Sequence, residues 1–105
     1  MAHNPPYYAV IFTSQRTESD KEYTETAERM VALSGEQPGF LGMESVMDNN
    51  GFGITVSYWQ DEDTIKAWKA HTEHQAAQCL GKKKWYQNYA VRISTVECAY
   101  RFKRD

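Results

Sequence analysis

The sequence has no surplus of either charge. Its 12 Lys and Arg against 14 Asp and Glu leave a formal net charge of −2, which excludes both a broad basic field for phosphate backbones and an acidic excess that would favour disorder. Nucleic acid is therefore not an expected partner. No apolar run is long enough to span a membrane, and MAHNPPYYAV lacks the basic segment, apolar stretch and small-residue cleavage site of a signal peptide. A cytoplasmic protein with no membrane partner is expected. Cysteine is scarce: Cys79 and Cys98 have no CxxC spacing and read as two reduced, packed thiols. The glycines are scattered and no G-x-G-x-x-G opens a helix, so no flavin or nicotinamide fingerprint is present and no cofactor is expected. The histidines of HTEH, His71 and His74, do not form HExxH. A third ligand would have to come from elsewhere, so no metal is expected either.

What is present is enough for one domain over residues 1–105, burying about two thirds of its unfolded surface. Residues 1–6 form an arm stiffened by Pro5 and Pro6, and 103–105 a charged tail. From Tyr7, YYAVIFT is apolar at nearly every position, the signature of a central strand. Ser19 and Glu22 make an S-x-x-E capping pattern, and Tyr23, Ala27, Met30, Val31 and Ser34 recur at helical spacing; the first helix is predicted from about Asp20 to Ser34, closed by Gly35 in a left-handed conformation. Phe40–Met47 and Gly53–Trp59 read as strands joined at DNNG, where Asn50-Gly51 supplies positive φ angles. A second helix is predicted from near Asp61, where DED meets the positive helix end, to about Leu80. The remainder, Tyr86 to Phe102, is β-rich. Val91 and Ile93 share one parity while Val96, Cys98, Tyr100 and Phe102 share the other, which predicts a bulge near Ser94-Thr95.

The order βαββαβ with a central hairpin describes an α+β, ferredoxin-like antiparallel sheet with two helices on one face. Two helices cover one side of four strands. The other side would expose Tyr7 or Tyr8, Ile11 or Val10, and Trp59, a patch that soluble monomers rarely tolerate. A homodimer is expected, its two sheets facing each other as a dimeric α/β barrel and its long final strand crossing to the partner.

The order of elements, PGFLGMES after the first helix, the GITVSYW strand, the DED helix start and the WKAHTEHQAAQ helix together resemble the antibiotic biosynthesis monooxygenase domain over nearly all of Tyr7 to Phe102. The resemblance implies a dimeric α+β barrel and, as activity, either cofactor-independent oxygenation of aromatic polyketides or haem degradation; many relatives have no assigned activity. Haem-degrading relatives use an Asn on the first strand, a Trp on the second helix and a His ten residues after that Trp. Trp68 matches the Trp, but Gln78 stands ten residues on, and YYAVIFTSQR contains no Asn.

On a helical wheel over Asp61–Leu80, Ile65, Thr72 and Ala76 centre the buried stripe with Cys79 and Trp68 beside them, while His74 points nearly away from the core. Trp68, His71, Gln75 and Gln78 then form one edge suited to the lip of an apolar cavity. Under the oxygenase reading His71 takes a proton and Arg92 or Gln78 stabilises an oxyanion. Trp68, Phe40, Tyr58 and Trp85 hold a small aromatic substrate, and His74 stands beside them as a further binding residue. The lysines Lys82–Lys84 read as a solvated turn. A non-catalytic ligand-binding or stress-related dimer of the same fold is the alternative function, and haem degradation a further one.

Overall fold

The structure is a computed structural model in which residues 4–17 and 21–104 are described. The predicted Ser19–Glu22 capping pair and the helix start at Asp20 lie outside the described residues and side chains. The chain runs β1 (Tyr7–Arg16), α1 (Lys21–Gly35), β2 (Phe40–Met47), β3 (Phe52–Trp59), α2 (Glu62–Ala70), α3 (Thr72–Leu80), a π-helical turn (Gly81–Trp85) and β4 (Tyr86–Val96). The strands form one open sheet of order β2-β3-β1-β4 in which every pairing is antiparallel. This is the expected ferredoxin-like α+β arrangement, with the apolar first strand inside the sheet.

Local chemistry explains most boundaries. The Asp61 carboxylate accepts a hydrogen bond from the Thr64 N–H at 2.8 Å, and Glu62 and Asp63 occupy the first turn of α2, so the acidic start both caps the helix and meets its dipole. The hairpin after β2 is built differently from a two-residue turn. Asp48 Oδ1 accepts from the N–H groups of Asn50 and Phe52, both at 2.9 Å, and Gly51 takes a φ of 87° while Asn50 stays at negative φ. An aspartate side chain thus does the work expected of a second left-handed residue. Gly35 likewise does not adopt positive φ; Gly39 does, at 81°. A Cβ on Gly39 would run into the Thr64 side chain, so only glycine lets the β2 entrance lie against α2.

Four sequence expectations are corrected. The second helix is two: His71 has φ −62° and ψ 132°, its N–H bonds to the Trp68 carbonyl at 3.1 Å, and its own carbonyl accepts from Gln75 N–H at 2.9 Å. The extended ψ resets the helical phase, which is why Ala76 and Cys79 are exposed rather than buried. Cys98 is exposed as well, so neither thiol is packed. No bulge interrupts β4 near Ser94-Thr95; pairing with β1 is regular from Asn88 to Val96, and the extra residue sits at Gln87. Lastly, β4 ends at Val96 rather than Phe102. Residues 97–104 have no strand assignment, and Tyr100 and Phe102 are 95% and 77% exposed. Outside the ladder, those residues need not share a face with Val96.

Partners across an antiparallel pair share a face. Trp59 faces Tyr8 in register and stacks on Trp68 of α2. The helix-covered face therefore carries Tyr8, Val10, Phe12, Ser14 and Arg16 of β1, and Tyr86, Tyr89, Val91 and Ile93 of β4. Trp59 is fully buried there, which corrects its expected place on the uncovered side. The uncovered side bears Tyr7, Ile11, Val56 and Tyr58, with Val46, Phe52 and Ile54 exposed.

Candidate functional site

The helix-covered face has an aromatic cluster at each end. They are separated along β1 by the span from Tyr8 to Arg16, about 26 Å at roughly 3.3 Å per residue.

The upper cluster is a chain of rings. Phe40 meets Trp59 edge-to-face at 5.3 Å, Trp59 stacks on Trp68 at 6.2 Å, and Trp68 stacks on His74 at 4.3 Å with only 14° between planes. His71 lies 5.7 Å from the Trp68 ring. In an unbroken helix, residues 68 and 74 would project roughly 120° apart; the break at His71 is what brings them face to face. His74, expected to point away from the core, is half-buried against Trp68. Its Nδ1 lies 3.1 Å from the Trp68 carbonyl oxygen. A carbonyl only accepts, so Nδ1 carries the proton, and in the neutral ring Nε2 keeps a lone pair. Burial pushes the His74 pKa below its ordinary 6.5; the Trp68 hydrogen bond opposes this and neighbouring His71 reinforces it. The imidazole is therefore neutral at pH 7, as a base must be. Trp59 Nε1–H donates to Ser57 Oγ at 2.9 Å.

The lower cluster gathers around Arg16. Its guanidinium carbon lies 3.4 Å from the centroid of the Tyr23 ring, which meets Trp85 at 5.4 Å and Tyr86 at 6.2 Å, both edge-to-face. Phe12 joins through Tyr86 and Tyr89 at 5.5 and 5.4 Å. Arg16 is 6% and Trp85 3% exposed. Desolvation, with the neighbouring Tyr23 second, raises the Tyr86 phenol pKa strongly, so its hydroxyl stays protonated. Between the clusters, Val91 and Ile93 of β4 are 48% and 55% exposed although they face the helices. The helices thus leave an apolar strip of the sheet open.

Of the residues singled out in the sequence, Phe40, Trp68, His71 and His74 come together, and Gln78 is half-buried on α3. The others do not join them. Trp85, expected to hold the substrate beside Trp68, is buried in the lower cluster. Tyr58 and Arg92 project from the uncovered face, opposite Ala9 and Ile11 in register. Tyr58 Oη donates to Glu44 Oε1 at 2.7 Å and packs on Tyr7 at 5.9 Å; the Glu44 bond, then burial, raises its pKa. Because side chains alternate along a strand, Tyr58 cannot share a side with Trp59, nor Arg92 with Val91. Sequence reasoning missed Arg16. Counting by twos from Tyr8 along YYAVIFTSQR puts it in phase with Val10 and Phe12, a cation on the covered face. Among the described residues no group of three His, Cys, Asp or Glu could hold a metal ion, and no helix is long and apolar enough to cross a membrane.

The chain is 59% identical over 93 residues to the uncharacterized protein YqjZ of Bacillus subtilis (strain 168), covering 89% of this chain and 82% of that one. Among solved structures it resembles protein SO0527 of Shewanella oneidensis, with a TM-score of 0.78, 11% identity, and coverage of 91% of this chain and 96% of the other. It also resembles a mutant of SnoaB, a cofactor-independent oxygenase from Streptomyces nogalater, with a TM-score of 0.76, 13% identity, and coverage of 89% and 95%. At those identities the structural likeness establishes the fold. The profile of the antibiotic biosynthesis monooxygenase family matches residues 6–79, and on that match, with the YqjZ identity beside it, the chain belongs to this family.

Proposed function

We propose that this protein is a cofactor-independent, cytoplasmic, homodimeric monooxygenase that oxidises a small aromatic or polyketide-like metabolite with O2. The observation that carries the proposal is the Trp59–Trp68–His74 stack, which sets a neutral imidazole of fixed tautomer against an aromatic wall. Family membership and the SnoaB-like fold support it. The apolar uncovered face, with Val46, Phe52 and Ile54 exposed, supports the dimer.

An anthrone-type substrate needs little from the protein. Trp68 and Phe40 hold the ring over the open strip, and His74 or His71 removes a proton from the ring CH2 group. The carbanion passes one electron to O2, and the resulting radical pair combines to form a C–O bond. Breaking the O–O bond with loss of water leaves a carbonyl. The carbon is oxidised by four electrons and O2 is reduced to the carbonyl oxygen and one water, so no external reductant is required. Gln78 stabilises the developing oxyanion by amide donation. Arg92, the other expected oxyanion donor, stands on the opposite face of its own sheet from Trp59.

Oxygen consumption with a panel of anthrones and quinols tests the proposal. One O2 should disappear per substrate, and losing the imidazole base in His74→Ala or His71→Ala should lower kcat about 100-fold. Saturable binding of the same compounds without oxygen uptake would overturn it in favour of a ligand-binding dimer. A Soret shift on haem titration would instead favour the haem-degrading alternative.

A further inference from the structure

The lower cluster holds more buried donors than acceptors. Arg16 Nε and Nη2 and Trp85 Nε1 are inaccessible to solvent and have no hydrogen-bond partner among the described residues, where Arg16 Nη1 meets only the weak acceptor Met47 Sδ, at 3.8 Å. Native proteins rarely leave such groups unmatched. The two orphaned guanidinium nitrogens are not a random pair: Nε and Nη2 form one edge of the planar group, the fork that meets both oxygens of a carboxylate. The face of the same guanidinium is fixed on Tyr23 at 3.4 Å, so the fork is already oriented. Tyr86, opposite Arg16 in register, is kept protonated first by burial, and its hydroxyl is engaged with Tyr23. On the same covered face Tyr86 packs with Phe12 and Tyr89, the nearest aromatic surface on the sheet, although none of these rings lines the open depression beside Arg16.

We infer that Arg16 and Trp85 form a binding site for a small aromatic carboxylate, its two oxygens on the Arg16 fork, one also accepting from Trp85 Nε1, and its ring against that aromatic surface. An open depression of about 540 Å³ at the hairpin end of the sheet reaches Arg16 between Met47 and Gln87 and gives the approach. Asp48 also lines that depression, but its Oδ1 is engaged by the Asn50 and Phe52 amides and caps the hairpin. Access requires Met47 or Gln87 to yield, both flexible side chains. The site lies at the opposite end of the sheet from Trp68 and does not depend on the oxygenase reading.

The test is a titration of the full chain with sodium benzoate at constant ionic strength, followed by the NMR signals of the Trp85 indole N–H and the Arg16 Nε–H. Both should shift saturably with one dissociation constant, and acetate should act more weakly. In Arg16→Lys, which keeps the charge but loses the fork, affinity should fall at least tenfold. Absence of any response at tens of millimolar benzoate would overturn the inference. A response to phosphate but not benzoate would overturn the ligand class. An unchanged titration in Arg16→Lys would overturn the assignment of the residue. The wild-type titration stands even if a variant fails to fold.

Discussion

The two ends of the helix-covered face are built from similar residues and differ in how their polar atoms are matched. At the upper end, the Trp59 indole N–H has Ser57, the His74 Nδ1–H has the Trp68 carbonyl, and the Asp61 carboxylate has the Thr64 amide. At the lower end, three donor nitrogens, Arg16 Nε and Nη2 and Trp85 Nε1, have no partner among the described residues. A buried donor with a partner holds structure together; one without a partner costs about 1–3 kcal/mol, more for a charged group. The upper end therefore stabilises the fold, whereas the lower end carries a charge the fold would be more comfortable without.

The largest expected effect lies at the upper end. Trp59→Ala removes a fully buried ring and should cost about 3–5 kcal/mol by chemical denaturation; a loss under 1 kcal/mol would break the view that this end holds the helices down. Gly39→Ala should cost about 2–4 kcal/mol, from the unfavourable positive φ and the collision with Thr64 together. Its reversal by Thr64→Gly in a double-mutant cycle would identify the collision as the larger part. At the lower end the sign should invert. Arg16→Met, which removes the unmatched charge and keeps an apolar chain, should leave stability unchanged or raise it by about 1 kcal/mol, and a clear loss would mean the two ends are alike. Asp61→Ala should cost about 1 kcal/mol through the lost cap.

The smallest effect concerns pH. His74 has a folded pKa below its ordinary 6.5, so the unfolded chain takes up the proton more readily. Its contribution is fully present above pH 6.5 and fades as pH falls through the lowered value. Melting curves between pH 7.5 and 5 should show wild type losing stability toward acid relative to His74→Phe, which keeps a ring on Trp68. Parallel curves would show that the imidazole is not desolvated.

Much of this was legible in the sequence where the signal is local. The Asp61 cap, the DNNG turn and the unbroken apolar run of β1 each announce themselves within a few residues, and their order leaves few topologies. The site was less legible because it rests on contacts between segments. Nothing in AWKAHTEHQ is a helix breaker, and the corner at His71 exists for a stack between two rings and a third from β3. A wheel drawn through that corner sent His74 outward and Cys79 inward. The faces of Tyr58 and Arg92 were illegible for another reason: the period of two was available, but its phase was unknown until Trp59 was seen under α2. With that phase, Arg16 falls on the covered face by counting alone.

One main-chain oxygen, that of Trp68, receives both the His71 amide and the His74 ring. Both its lone pairs are taken at the joint between two rods of nine residues each. Such a joint acts as a pivot placed outside the sheet. Substitutions at 71 or 74 could reset the angle of the second rod, and so widen or narrow the space above the strands, while the ladder beneath stays in register.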